Sequence, residues 1–271
     1  MDDLFDVSGR VAVVTGGMGQ LGRQFTLALA RRGARVAVFD LRVDLDYQQQ
    51  RFGEAHAWEN LLFCPVDITD REAVAAGLAQ VEAKWGPPQV LINNAGLDSP
   101  PNAPAAENGP FEEYPAASLA KVLDVNIKGV VFCCQVIGKA MAAQGRGSII
   151  NISSTYGLVS PDQRLYAYRA AGGQPFFKPV AYAISKSGLL NLTRYLATYW
   201  ADRGVRVNTL TFGGVFNQQD ADFLAGYCAR VPLGRMANED EYNGAILFLA
   251  SDASSYMTGA NLVIDGGWTA W

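Results

Sequence analysis

Tyr182 and Lys186 stand four residues apart in the run Val-Ala-Tyr-Ala-Ile-Ser-Lys. On a helix, both side chains rise from one face. A phenol beside an ammonium makes a proton donor and acceptor suited to near-neutral pH. A free Tyr titrates near pH ~10, and a fixed positive charge within about 4–6 Å favours its phenolate. Lowering that value by about three units takes roughly 4 kcal/mol of differential stabilisation. One desolvated Lys helped by a cationic ring is enough to supply it. Taken alone, the pair is also what two surface residues sharing a helix by chance would give. The rest of the chain decides its weight.

The other chemistry-bearing residue types narrow the choice. The single histidine, His56, sits in a polar stretch and reads as a surface residue. This removes His-rich metal sites and any His-based triad that does not use it, and no metal is expected. Cys64, Cys133, Cys134 and Cys228 form no Cys-x-x-Cys pair and read as buried free thiols. Acid–base work therefore falls to Tyr, Lys, Ser and Asp. With 22 basic against 26 acidic residues, the chain lacks the basic excess of a nucleic-acid binder. No apolar run is long enough to span a membrane. The acidic first residues show no signal-peptide pattern, and a cytoplasmic protein is expected.

One punctuation recurs along the 271 residues: a helical segment, a glycine, then an apolar strand. Gly33, Gly86, Gly145 and Gly204 each close such a helix. Strands apolar on both faces belong in a sheet covered on both sides. Repeated β-α units then wind a parallel sheet, giving one α/β domain over 1–271. Strands are expected near 10–15, 35–39, 61–64, 89–92, 147–152, 205–210 and 261–264. Helices are expected near 20–32, 70–84, 118–143, 181–202 and 239–250. Two long loops, 97–116 and 155–180, carry the Pro, Gly and aromatic residues of functional loops.

After the first strand comes Thr15-Gly16-Gly17-Met18-Gly19-Gln20-Leu21-Gly22. Gly17, Gly19 and Gly22 satisfy the spacing of a dinucleotide fingerprint in a strand–loop–helix context. Small residues admit a pyrophosphate, and the helix N-terminus supplies N–H donors. Strand two ends at Asp40, where a carboxylate accepts from the adenosine ribose hydroxyls. It would repel a 2′-phosphate, so NAD is expected over NADP. Arg42 is a complication, because an Arg pairs well with that phosphate.

With these pieces together, the chain resembles the short-chain dehydrogenase/reductase family from about residue 8 to the C-terminus. The resemblance rests on the Gly loop, Asp67 and Ile68 in Val-Asp-Ile-Thr, Asn93-Asn94-Ala95-Gly96, Asn126 in Val-Asn-Ile-Lys-Gly and Ile152-Ser153-Ser154. Tyr182/Lys186, Val205-Arg206-Val207-Asn208 and Thr258-Gly259 through Asp265-Gly266-Gly267 complete it. It implies a Rossmann-like, doubly wound fold with a seven-stranded parallel sheet, and a homodimer or homotetramer. It implies Tyr182 as proton donor or acceptor, Lys186 lowering its pKa and holding the nicotinamide ribose, and Ser154 at the substrate oxygen, with Ser153 as the rival. Asn126 would fix a water in a proton path. Gly16, Gly17, Gly19, Gln20, Leu21, Gly22, Asp40, Asp67, Ile68, Asn94, Ala95 and Gly96 would hold the cofactor with Tyr182 and Lys186. Gly213, Val215 and Asn217 would reach its nicotinamide end.

Three departures stand out. Gln20 occupies a place the short branch of the family usually gives to glycine, so the glycine spacing looks like that of the longer sugar-nucleotide branch. Phe212 and Asn217 replace an expected Pro and Thr. Ser154 and Tyr182 are 28 positions apart, further than is usual. The extra run offers Arg164, Tyr166, Tyr168, Arg169 and Lys178 either to a phosphorylated or nucleotide-linked sugar or to a neighbouring subunit. The insert and the ending Gly-Gly-Trp-Thr-Ala-Trp look similar to members linked to bacterial flagellin or surface-polysaccharide sugars. An NAD-dependent oxidoreductase of a sugar derivative is expected. The alternatives are a nucleotide-sugar dehydratase or epimerase that retains NAD, and a non-catalytic cofactor-binding sensor.

Overall fold

The computed structural model describes residues 4–98, 103–173 and 175–271. Parts of the acidic N-terminus, of the 97–116 loop and of the 155–180 insertion lie outside the described residues. Seven parallel strands form one sheet: β1 (Val11–Thr15), β2 (Arg35–Asp40), β3 (Leu61–Pro65), β4 (Val90–Asn93), β5 (Gly147–Ser154), β6 (Val205–Phe212) and β7 (Asn261–Ile264). Their order is β3-β2-β1-β4-β5-β6-β7. Val13 pairs with Ala37 on one side and Leu91 on the other. The order reverses between β1 and β4, so a crevice opens beyond their carboxyl ends, the place where doubly wound folds bind ligands.

The helices are α1 (Gln20–Ala30), α2 (Leu45–Phe52), α3 (Arg71–Trp85), α4 (Ala116–Leu123), α5 (Val130–Cys133), α6 (Lys139–Gln144), α7 (Ala167–Ala171), α8 (Val180–Tyr199), α9 (Ala221–Cys228) and α10 (Asn243–Ala250). The sheet separates two cores, because alternate side chains of a strand face opposite sides. Ala12 and Val14 join Phe25 and Leu29 of α1 and Ile246 and Leu249 of α10. Val11 and Val13 join Val74 and Val81 of α3, Ile137, and Leu189 and Leu196 of α8. The four punctuating glycines, Gly33, Gly86, Gly145 and Gly204, all have positive φ, where a side chain would strain the turn. Asp70 caps α3 by accepting from the Glu72 and Ala73 amides.

All seven expected strands are present. The expected helix over 118–143 runs over 116–144 instead, interrupted by π-turns at Asp124–Gly129 and Cys134–Gly138. Three helices were not legible: α2, α7 and α9. Cys64, Cys133 and Cys134 are buried free thiols as expected, but Cys228 on α9 is only half-buried. Among the described residues, no helix is long and apolar enough to cross a membrane.

A third, smaller apolar cluster lies outside the two main cores. Leu165, Tyr166 and Phe176 of the insertion pack with Tyr156, Tyr227, Met236 and Trp268. The insertion therefore folds back onto α9 and the C-terminal segment. Gln163 fixes its neck by binding both backbone groups of Lys178, at 2.8 and 3.1 Å. Phe177 donates to the Asn108 carbonyl at 2.8 Å, which ties the insertion to the other long loop.

Candidate active site

A cleft of about 1820 Å³ runs from the glycine loop along the carboxyl ends of the strands to the insertion. Gly16, Gly19, Gln20, Leu21 and Gly22 form one end. A Cβ at Gly22 would lie 2.2 Å from the Gly16 carbonyl oxygen, so only glycine lets α1 start this close to the loop. The first turn of α1 has no acidic residue and no side-chain cap, leaving its N–H donors facing the cleft. Gly17 does not line the cleft. It is buried behind the loop, where a Cβ would meet Val38 at 2.8 Å. Gln20 reaches across to the Phe216 carbonyl at 3.0 Å and links this end to the segment after β6.

Asn94 braces the loop by donating to the Thr15 and Gly16 carbonyls at 3.0 and 3.1 Å. The buried Thr15 hydroxyl accepts from the Asn94 and Ala95 amides, both at 3.1 Å. Its position next to the first glycine was the available signal for this role. Asp40 stands at the end of β2 and accepts from the Met18 and Leu41 amides at 3.0 and 2.8 Å. Arg42 is engaged elsewhere, pairing with Asp44 at 2.6 Å and lying over the Tyr47 ring. Asp67, Ile68, Asn94, Ala95, Gly96, Gly213, Val215 and Asn217 all line the cleft. Asp67 is turned toward its own loop, accepting from the Thr69 amide and hydroxyl.

Ser154 and Tyr182 meet at the far end. Both line the cleft, with the Ser154 hydroxyl near enough to the phenol to favour its ionised form. Alternation along β5 separates the two serines: the Ser153 hydroxyl points the other way and donates to the Lys186 carbonyl at 2.8 Å. Lys186 and Asn126 stand behind the cleft wall. Lys186 is 5% exposed, and its Nζ donates to the Ile152 carbonyl at 2.9 Å. That ammonium lies 5.7 Å from the centre of the Tyr182 ring. Asn126 sits in the first π-turn, a distortion frequent at functional sites. Its amide donates to the Leu97 carbonyl and the Ser185 hydroxyl, both at 2.9 Å, and accepts from the Leu97 amide at 2.7 Å. Asn126 thus ties the loop after β4 to α8.

Burial pushes the Lys186 amine down to about 8, opposed by Asp98. The Tyr182 phenol is held well above its ordinary value, first by burial and then by the Asp98 carboxylate, with the Ser154 hydrogen bond opposing. The expectation that the site would lower this phenol is therefore reversed for the protein's own groups. Desolvation of the phenolate outweighs an ammonium that faces the ring rather than the hydroxyl.

Of the five polar residues expected from the insertion, Tyr166, Tyr168 and Lys178 line the cleft. Arg164 points outward and pairs with Asp162 at 2.9 Å. Arg169 stacks over the Phe176 ring at 5.7 Å. Lys178 forms a short ion pair with Asp98 and lies 5.1 Å from the Tyr182 ring centre. Tyr168 donates to Asp220 at 2.7 Å. Asp98, Tyr156, Asp220 and Tyr227 belong to this wall and were missed. Asp98 directly follows the Asn-Asn-Ala-Gly-Leu run, which was a usable signal, whereas Tyr227 lies on a helix the sequence did not reveal.

The family described as enoyl-(acyl carrier protein) reductase matches residues 18–269. A cis-4-hydroxycyclohexanecarboxylate dehydrogenase of Sinomonas cyclohexanicum is 35% identical over 96% of this chain and 97% of its own. A D-threitol dehydrogenase of Mycolicibacterium smegmatis is 33% identical, covering 98% and 95%. A galactitol 2-dehydrogenase of Cereibacter sphaeroides is 34% identical, covering 99% and 98%. A solved short-chain dehydrogenase from Leptospira borgpetersenii with bound NAD+ superimposes with a TM-score of 0.84 at 31% identity, covering 99% and 96%. A gluconate 5-dehydrogenase from Burkholderia cenocepacia in complex with NADP and tartrate does so with a TM-score of 0.84 at 27% identity, covering 99% and 98%. With its sheet order, glycine cradle and Ser154–Tyr182 contact, the chain belongs to the short-chain dehydrogenase/reductase family of nicotinamide-dependent oxidoreductases acting on CH–OH groups.

Proposed function

We propose that this protein is an NAD-dependent dehydrogenase of a polyol or related sugar derivative, with Tyr182 as its acid–base group. The observation that carries this reading is the Ser154–Tyr182 contact, set in one cleft with a glycine cradle that fits a dinucleotide. The empty N-terminal turn of α1 suits a pyrophosphate, and Gly22 leaves room for its approach. A nicotinamide dinucleotide held by these residues would supply the hydride chemistry at the substrate carbon. Tyr182 takes the hydroxyl proton during oxidation and returns it during reduction. Ser154 holds the same oxygen. Lys186, cationic at pH 7, lies behind the ring with Asn126 bracing the adjacent loop. The raised phenol is a ready proton donor for the reduction direction.

Asp40 supports NAD over NADP, because its carboxylate ends β2 beside the loop while Arg42 is turned onto Asp44. The threitol and galactitol enzymes among the relatives support a polyol. The resemblance to flagellin and surface-polysaccharide members has no counterpart among the relatives named above. Arg164 is exposed and paired with Asp162, so it offers little to a phosphate. The exposed Ile184, Tyr195 and Tyr199 along α8 support a homodimer or homotetramer.

The test is NADH formation across a polyol panel, with Tyr182→Phe expected to lose turnover by at least about a hundredfold while still binding NAD. Full activity in that variant removes Tyr182 from the mechanism.

A further inference from the structure

Both long loops converge on one ion pair. Asp98 begins the first loop and Lys178 ends the second, and they meet at the substrate end of the cleft. Lys178 is held in place twice over. Its side chain is 10% exposed, and Gln163 binds its backbone N–H and carbonyl. Asp98 keeps 42% of its side-chain exposure, so it faces the cleft as well as its partner. Its charge is felt at Tyr156, Tyr166, Tyr182 and Lys186. The remaining wall includes Tyr156, Tyr166, Tyr168, Phe176, Tyr227 and a second carboxylate, Asp220, which accepts from Tyr168.

We propose that the Asp98–Lys178 pair makes this enzyme select uncharged polyols over polyols that carry a carboxylate. This rests on the dehydrogenase reading above and names its substrate class. Substrate hydroxyls can donate to the exposed carboxylate edge and accept from tyrosine hydroxyls. A carboxylate substrate finds its natural partner, Lys178, already neutralised and must approach Asp98 as a like charge. Juxtaposed like charges are a means of rejecting a wrong ligand without improving the right one.

The experiment uses the full-length protein with NAD and two matched pairs, galactitol against galactonate and threitol against threonate. Within a pair, the compounds differ in one terminal CH2OH or carboxylate. The expected kcat/KM ratio favours the neutral member by at least about tenfold. Asp98→Asn is expected to move that ratio toward the carboxylate by about tenfold, because it releases Lys178. Adding Lys178→Gln is expected to take that gain away. The parent comparison needs no variant, so a misfolded Asp98→Asn protein leaves it standing. Equal ratios, or a preference for the carboxylates in the parent, overturn the proposal while the dehydrogenase reading stands. No hydride transfer to any polyol, neutral or charged, removes both.

Discussion

Lys186 carries an amine into a place where water does not follow. Its pKa of about 8, against an ordinary 10.5, ties it to folding. The unfolded chain holds the proton between those values and the folded chain does not, so stability rises with pH across that window. It is lost as pH falls through about 8, where the buried amine must become charged. Lys186→Met has no proton to bind. The parent should therefore gain on it by on the order of 2 kcal/mol between pH 7.5 and 9.5. Urea denaturation of both proteins at the two pH values measures this, and a pH-independent difference would show that the amine is not desolvated. Asp40 supports a second expectation at the same scale. Asp40→Ala should weaken NAD binding and narrow any preference over NADP, read by fluorescence titration of both cofactors. Tighter NADP than NAD binding in the parent would count against the cofactor assignment.

At the scale of elements, the insertion is a wall built from a satellite cluster. Phe176 packs on Tyr166 at 4.5 Å between ring centres and lines the cleft. Phe176→Ala in a global core would cost about 3–5 kcal/mol and lower Tm by roughly 2–4 °C per kcal/mol. Because the cluster can open without the sheet, the expected result is a polyol KM raised several-fold with only a small change in Tm. Calorimetry and kinetics on one preparation decide between them. The strands and their helices were legible because burial on both faces leaves unbroken apolar runs, and four of the five expected helices run up to a glycine. The insertion's short helices were not. Leu165, Tyr166 and Phe176 show no helical period, and their burial depends on Tyr227 and Trp268, far away in sequence. The π-turn holding Asn126 was also invisible, since a wider turn leaves little trace in an apolar pattern.

For the whole molecule, the sheet order places the crevice and the two covering layers protect it. One face of α8 is left with Ile184, Tyr195 and Tyr199 at 51, 61 and 52% exposure. Tyr195 and Tyr199 stack in parallel at 5.9 Å, giving a flat apolar surface. Covering such a surface with a second copy is favourable. Sedimentation should find a dimer or tetramer, and Tyr195→Glu should shift the population toward smaller species. A monomeric parent would remove this assembly.

The sequence alone determined the winding of the sheet, the glycine cradle and the Tyr182/Lys186 pairing, because each is fixed by local spacing: strand, turn and helix follow one another within a few dozen residues. Only the tertiary structure decided that Ser154 rather than Ser153 meets Tyr182, that burial raises the phenol, and that Asp98 neutralises Lys178. Those outcomes depend on which way a strand faces, how much water is excluded, and which loops meet. The partners involved are separated by many turns of chain, and no local pattern records them.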